Sequence, residues 1–137
     1  MKPFKKNDHP TLGIEEEFHL INPETAELMP SVNEVMALLD TEFREKVCYE
    51  LLQCILETRT GVYKTVDELV RETASGRTVL ADSCKKLNVN IVAAGSHPFS
   101  DWKENLLSTA NIINGYVITT DILPTACWPL DYTYMSG

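Results

Sequence analysis

Between residues 12 and 20 apolar and polar side chains alternate: Leu12, Ile14, Phe18 and Leu20 take the even positions, Glu15, Glu17 and His19 the odd ones. A period of two places successive side chains on opposite faces of an extended chain. The pattern therefore predicts a half-buried β-strand after a polar lead-in that ends at Pro10. Glu16 breaks the alternation because it shares the apolar parity, and is expected at a sheet edge or beside a cation. The turn chemistry of Asn22-Pro23-Glu24-Thr25-Ala26-Glu27 comes next, after which Leu28-Met29 could pair back as a short strand. Ser31 with Glu34 makes a capping box, and Val32, Val35, Met36 and Leu39 keep helical spacing, which predicts a short helix over 31–40.

The run from residue 47 to 61 fits helix and strand alike. Taken as a strand over 53–59, it shows Gln53, Ile55, Glu57 and Arg59 on one face and Cys54, Leu56 and Thr58 on the other. Thr65 and Glu68 form a second capping box ahead of Val66, Leu69, Val70, Thr73, Leu80, Cys84 and Leu87, the stripe of a long amphipathic helix. Gly76 inside it costs about 1 kcal/mol relative to Ala and is expected to let the helix approach the sheet. Asn88, which tolerates the left-handed region, stops it. Residues 91–94 read as a short buried strand, left by the loop Gly95-Ser96-His97-Pro98-Phe99.

The length of 137 residues is that of one domain. Twelve Lys and Arg against twenty Asp and Glu leave a net charge of −8. That balance argues against a nucleic-acid partner and against an anionic membrane surface. The N-terminus lacks the apolar run of a signal peptide and no stretch approaches a membrane span, so the expected address is the cytoplasm. Cys48, Cys54, Cys84 and Cys127 have no Cys-x-x-Cys spacing and read as reduced thiols, with Cys54 and Cys84 as small core residues.

Glu15 and Glu17 would project from one strand face about 6.5–7 Å apart, where like charges repel. A hard divalent cation such as magnesium would resolve that conflict, with a nucleotide's phosphates completing its shell. A solvated strand face is the plainer alternative. Glu57 can join them as a further ligand while Arg59 meets an anionic substrate group; a surface ion pair is the alternative there. His97, at the mouth of a strand, suits proton transfer or phosphate contact, or simply a backbone hydrogen bond.

Four segments taken together resemble a known family. Gly13-Ile14-Glu15-Glu16-Glu17-Phe18, Glu50-Leu51-Leu52-Gln53 leading to Glu57-Thr58-Arg59-Thr60-Gly61, the helix from Thr65, and Ala93-Ala94-Gly95-Ser96-His97-Pro98-Phe99 are similar, in order and spacing, to the N-terminal part of the carboxylate-amine ligases, also called glutamate-cysteine ligase type 2. Asn22-Pro23-Glu24-Thr25 and Asp101-Trp102 fit as well, so the resemblance covers about residues 10–104. It implies an α+β fold, part of a curved antiparallel sheet like that of glutamine synthetase with helices on one face. It also implies an enzyme that spends ATP, with Mg2+, to join a small carboxylate to an amine such as an amino acid's through an acyl phosphate. Glu15, Glu17 and Glu57 match the acidic metal positions, and Arg59 and His97 match positions facing the funnel. Homo-oligomerisation is left open. A non-catalytic interaction module built on the residual half-sheet is the alternative reading.

After residue 104 the resemblance fails, and 105–137 reads as a divergent tail. The family continues with a strand reading Phe-Gly-Leu-His-x-His-Val-Gly. Skipping two bases of the back-translated tail, residues 127–137 can spell Leu-Ala-Phe-Gly-Leu-His-x-His-Val-Gly: Cys127-Trp128 must give Leu, Trp128-Pro129 Ala and Asp131-Tyr132 Leu. The expectation is a frameshift near 105–110 that leaves a truncated chain, inactive alone.

Overall fold

The structure is a computed structural model and describes residues 9–101. It is a mixed α+β arrangement whose order is β1 (Glu15–Ile21), α1 (Val32–Leu38), α2 (Thr41–Arg44), β2 (Val47–Tyr49), β3 (Ile55–Arg59), α3 (Val66–Lys85) and β4 (Asn90–Val92). The four strands form one sheet in the order β2-β3-β1-β4, antiparallel at every pairing.

The alternation in the opening strand sets which face is core. Phe18 and Leu20 are buried against α1 and α3 in a cluster with Val32, Val35, Met36, Leu39, Leu56, Leu80, Cys84 and Val89. Leu56 stands opposite Phe18 on β3, and Val47 and Tyr49 extend the same face from β2. Cys54 and Cys84 are buried, and loss of hydration pushes both thiols up to about 11, so they behave as small apolar groups. Cys127 lies outside the described residues.

The turn forms around Asn22, whose Oδ1 accepts from the backbone N–H of Glu24 and of Thr25, and Ala26 closes it at φ 59°. Leu28 then makes a single bridge to Ile21 instead of a strand. The helix near 31–40 is present over Val32–Leu38, but Ser31 makes no side-chain cap bond, so that capping box does not form. Asp40 caps α2 instead, accepting from the Phe43 N–H at 2.9 Å, in a stretch with no strong period in sequence. The box at Thr65 and Glu68 does form, each side chain accepting from the other's N–H. Of the α3 stripe, Leu69, Leu80 and Cys84 are buried, while Val66 and Val70 are exposed. Gly76 approaches Phe43 of α2, not the sheet: a Cβ there would sit 3.3 Å from the ring. Asn88 takes the left-handed conformation beyond the helix, at φ 55°. β4, expected as a buried strand, is a three-residue strand with Val92 exposed, because among the described residues β1 is its only strand neighbour.

Candidate metal centre

The sheet face turned away from the helices collects the polar residues. Antiparallel register pairs Glu15 with Arg59, Glu17 with Glu57 and His19 with Ile55, and places Cys48 of β2 beside Glu57. Glu50, just past β2, completes a cluster: one carboxylate oxygen from each of Glu17, Glu50 and Glu57 lies within 4.8 Å of the others, and all three residues are half-buried. Two magnesium–oxygen bonds in line span about 4 Å, so small side-chain rotations would let these oxygens share one cation. A set made only of carboxylate oxygens suits a hard ion of that kind.

The electrostatics agree with the geometry. Burial, then Glu17 and Glu15, push the Glu50 carboxyl up from its ordinary value. Burial, then Glu15 and Glu50, push Glu57 up as well, against the pull of Arg59. Each raised value records the cost of another negative charge on this face.

The expected set of Glu15, Glu17 and Glu57 is thus brought to one face, but Glu15 is exposed and lies outside the group that closes within 4.8 Å. Glu50 takes the third place. It sits outside any period-two run, so alternation gave no reason to choose it; its one signal was membership of the segment Glu50-Leu51-Leu52-Gln53. Arg59 lies on the same face, its Nε 3.6 Å from Glu57 Oε1 and its Nη2 against Cys48 Sγ. Its side chain is half exposed, leaving the guanidinium reachable from solvent.

His97 does something other than face the acidic cluster. Its Nε2 contacts the Ala26 carbonyl oxygen at 2.9 Å, and its Nδ1 accepts from the Ser100 N–H at 3.1 Å. With Nδ1 accepting, Nε2 is the nitrogen that donates to the Ala26 carbonyl. Ser100 Oγ accepts in turn from the Leu28 N–H, and Phe99 packs edge-on against the ring at 4.6 Å. With both nitrogens held by backbone, His97 clips its loop to the Asn22 turn, the plainest of the roles its position suggested. Beneath it lies His19, buried on a face expected to be solvated, its ring 6.1 Å from that of His97. Burial and then His97 hold His19 below the usual histidine range, with Glu17 opposing, and its Nδ1 has no hydrogen-bond partner among the described residues. No helix among the described residues is long and apolar enough to cross a membrane.

A family model described as glutamate-cysteine ligase family 2 matches residues 11–131. A protein of Corynebacterium glutamicum (strain R), provisionally named glutamate-cysteine ligase 2, is 38% identical over 106 residues, 77% of this chain and 28% of its own length. Proteins of the same provisional name match from Chloroflexus aurantiacus (strain J-10-fl), 38% identical over 94 residues covering 69% of this chain and 24% of theirs, and from Gloeobacter violaceus, 35% identical over 104 residues covering 74% and 28%. The chain spans about a quarter of the length of these relatives.

Proposed function

The chain belongs to glutamate-cysteine ligase family 2, and from that premise we propose that it supplies the cation-binding wall of an ATP-dependent carboxylate-amine ligase. The observation behind the proposal is the meeting of Glu17 and Glu57 across β1 and β3 with Glu50 within 4.8 Å. The antiparallel sheet with helices on one face fits part of a glutamine-synthetase-like funnel, the acidic face being its inner wall.

In the proposed reaction the ATP γ-phosphoryl moves to a carboxylate oxygen of the acid substrate and ADP leaves. The amine nitrogen then attacks the carbonyl carbon, loses a proton and expels inorganic phosphate, leaving an amide. A bound magnesium ion would neutralise the phosphate charge during that transfer. Glu17, Glu50 and Glu57 would hold it, and Glu15, beside them on the same face, adds negative potential that attracts it. Arg59 would meet an anionic oxygen of phosphate or carboxylate through its planar fork. Because the chain spans about a quarter of its relatives, the complete reaction is proposed for the longer protein, and cation capture for this chain. Glutamate and cysteine are the substrates that the relatives' names suggest. ATP and free amino acids as substrates suit a cytoplasmic address.

A frame change near 105–110 is part of the same proposal, although the family match runs on to residue 131. Restoring the frame, purifying the longer chain and measuring ADP release tests both steps. Release that depends on an amino acid and on magnesium, and that is lost in Glu57→Gln, is the expected result. A gene whose second frame lacks the His-x-His codons rules out the frame change, and a restored chain with no nucleotide turnover rules out the ligase reading.

A further inference from the structure

Glu16 stands on the opposite side of β1 from the acidic face. It shares parity with Phe18 and Leu20, its side chain is only 15% exposed, and its carboxylate meets Arg77 of α3. The Arg77 Nε donates at 3.0 Å to Oε1 and at 3.1 Å to Oε2, and Nη2 donates to Oε1 as well. Among the described residues the sheet holds this end of β1 on one side only. Residues 15–17 pair with β3, but β4 reaches no further than His19, and a groove lined by Glu15, Glu16, Glu17, Ala93, Ala94 and Gly95 runs along the other side. Apolar burial gives little help here, since Ile14 and Leu12 are 36% and 37% exposed and the buried core begins at Phe18.

We propose that Arg77 is a positioning residue for the cation site: by neutralising Glu16 beneath the sheet, it holds the singly paired end of β1 and thereby keeps Glu15 and Glu17 on the open face. The inference rests on the reading of that face as a cation site. A half-buried carboxylate deprived of its partner must regain water, and lifting of this end of β1, held by few apolar contacts, gives it that water. Glu17 would then leave the cluster. Bare electrostatics demands the opposite. Arg77 is a cation near an acidic patch, and removing it should strengthen the patch's hold on a metal.

That difference in sign makes the test. Mn2+ alone is titrated into the 137-residue chain by water-proton relaxation, and amide hydrogen exchange is followed at residues 15–17 and at Leu20. In Arg77→Met, exchange at 15–17 should quicken by about tenfold or more while Leu20 is unchanged, and Mn2+ affinity should fall. The double variant Glu16→Met with Arg77→Met leaves no stranded charge and should restore both readings. Arg77→Lys, which keeps the charge without the fork, should fall between. Unchanged exchange at 15–17, a rise in Mn2+ affinity, or a double variant no better than the single one would overturn the role given to Arg77. If Arg77→Met does not fold, the double variant and Arg77→Lys decide by the same readings. Failure of the unaltered chain to bind Mn2+ removes the cation site instead, and exchange alone then decides whether Arg77 holds this end of β1.

Discussion

Glu17 and Glu57 are direct cross-strand partners in the β1–β3 pair, two carboxylates on one pleated face with Glu50 closing the group. Like charges so placed destabilise a sheet by about 0.2–1 kcal/mol. Evolution of a stable surface would remove such a pair, whereas a cation site needs it. Glu57→Gln should therefore stabilise the metal-free chain by an amount in that range and abolish any rise in melting temperature on adding Mg2+ or Mn2+. For the unaltered chain, saturation to a hundred times Kd would add about 2.7 kcal/mol. Melting curves with and without the ion read both effects, and a Glu57→Gln chain that melts earlier without metal would show that the pair is stabilising.

The pH dependence follows from the raised carboxyls of Glu50 and Glu57. A carboxyl whose folded value lies above its ordinary 4.5 holds more proton in the folded state. Its contribution is complete below 4.5 and is lost as pH rises through the folded value. His19, held below 6.5, acts oppositely: its contribution is complete above 6.5 and is lost as pH falls through its folded value. Comparing Glu50→Gln with the unaltered chain cancels the histidine term. The advantage of Glu50→Gln should be absent near about pH 4 and grow as pH rises, and added Mg2+ should erase it. Denaturant unfolding at a series of pH values measures the difference.

Strand and helix periods made much of this fold legible. Phe18, Leu20 and Leu56 point where alternation put them, and Thr65 and Glu68 cap α3 as their spacing predicted. What stayed hidden depends on tertiary context. β2 is only three residues long and carries no period of its own; its place comes from pairing with β3. Ser31 has the residues of a capping box but not the geometry, because Val32 N–H donates to Gln53 O across the fold and the chain enters α1 from Met29. His19 obeyed alternation and still became buried, since the 95–99 loop folds over that end of the face and parity says nothing of loops. For the acidic cluster, spacing within β1 found Glu17, but Glu50 joins from outside any strand.

His97 gives a prediction that separates a clip from a proton carrier. Its ring joins Ala26 O to Ser100 N–H, so His97→Ala removes two hydrogen bonds and strands a half-buried carbonyl. The expected loss is about 1–3 kcal/mol of stability, with faster amide exchange at Ser100 and at Leu28, whose N–H bonds Ser100 Oγ. Mn2+ affinity should be unchanged, because both ring nitrogens bond to backbone at Ala26 and Ser100. A loss of metal binding without a loss of stability would place His97 at the site after all.

Among the described residues Arg59 is the one cation whose charge acts on Glu57, pulling its carboxyl down against burial, Glu15, Glu50 and Glu17. Its guanidinium is half exposed and 3.6 Å from Glu57 Oε1, a pair worth at most about 1 kcal/mol once solvent screening is counted. Arg59→Met should accordingly leave the melting temperature nearly unchanged. It should nonetheless move the Glu57 titration to higher pH, because the pull of the guanidinium is lost while Glu15, Glu50 and Glu17 still repel. Carbon-detected NMR of the Glu57 carboxyl in both chains reads that shift directly. The same variant should weaken binding of a nucleotide triphosphate in the presence of Mg2+, with Arg59→Lys recovering only part, since an ammonium supplies charge without the two parallel donors of the guanidinium. If Arg59→Met leaves nucleotide affinity intact while the Glu57 titration moves, Arg59 serves only to balance the acidic face, and the contact with an anionic substrate belongs to another residue.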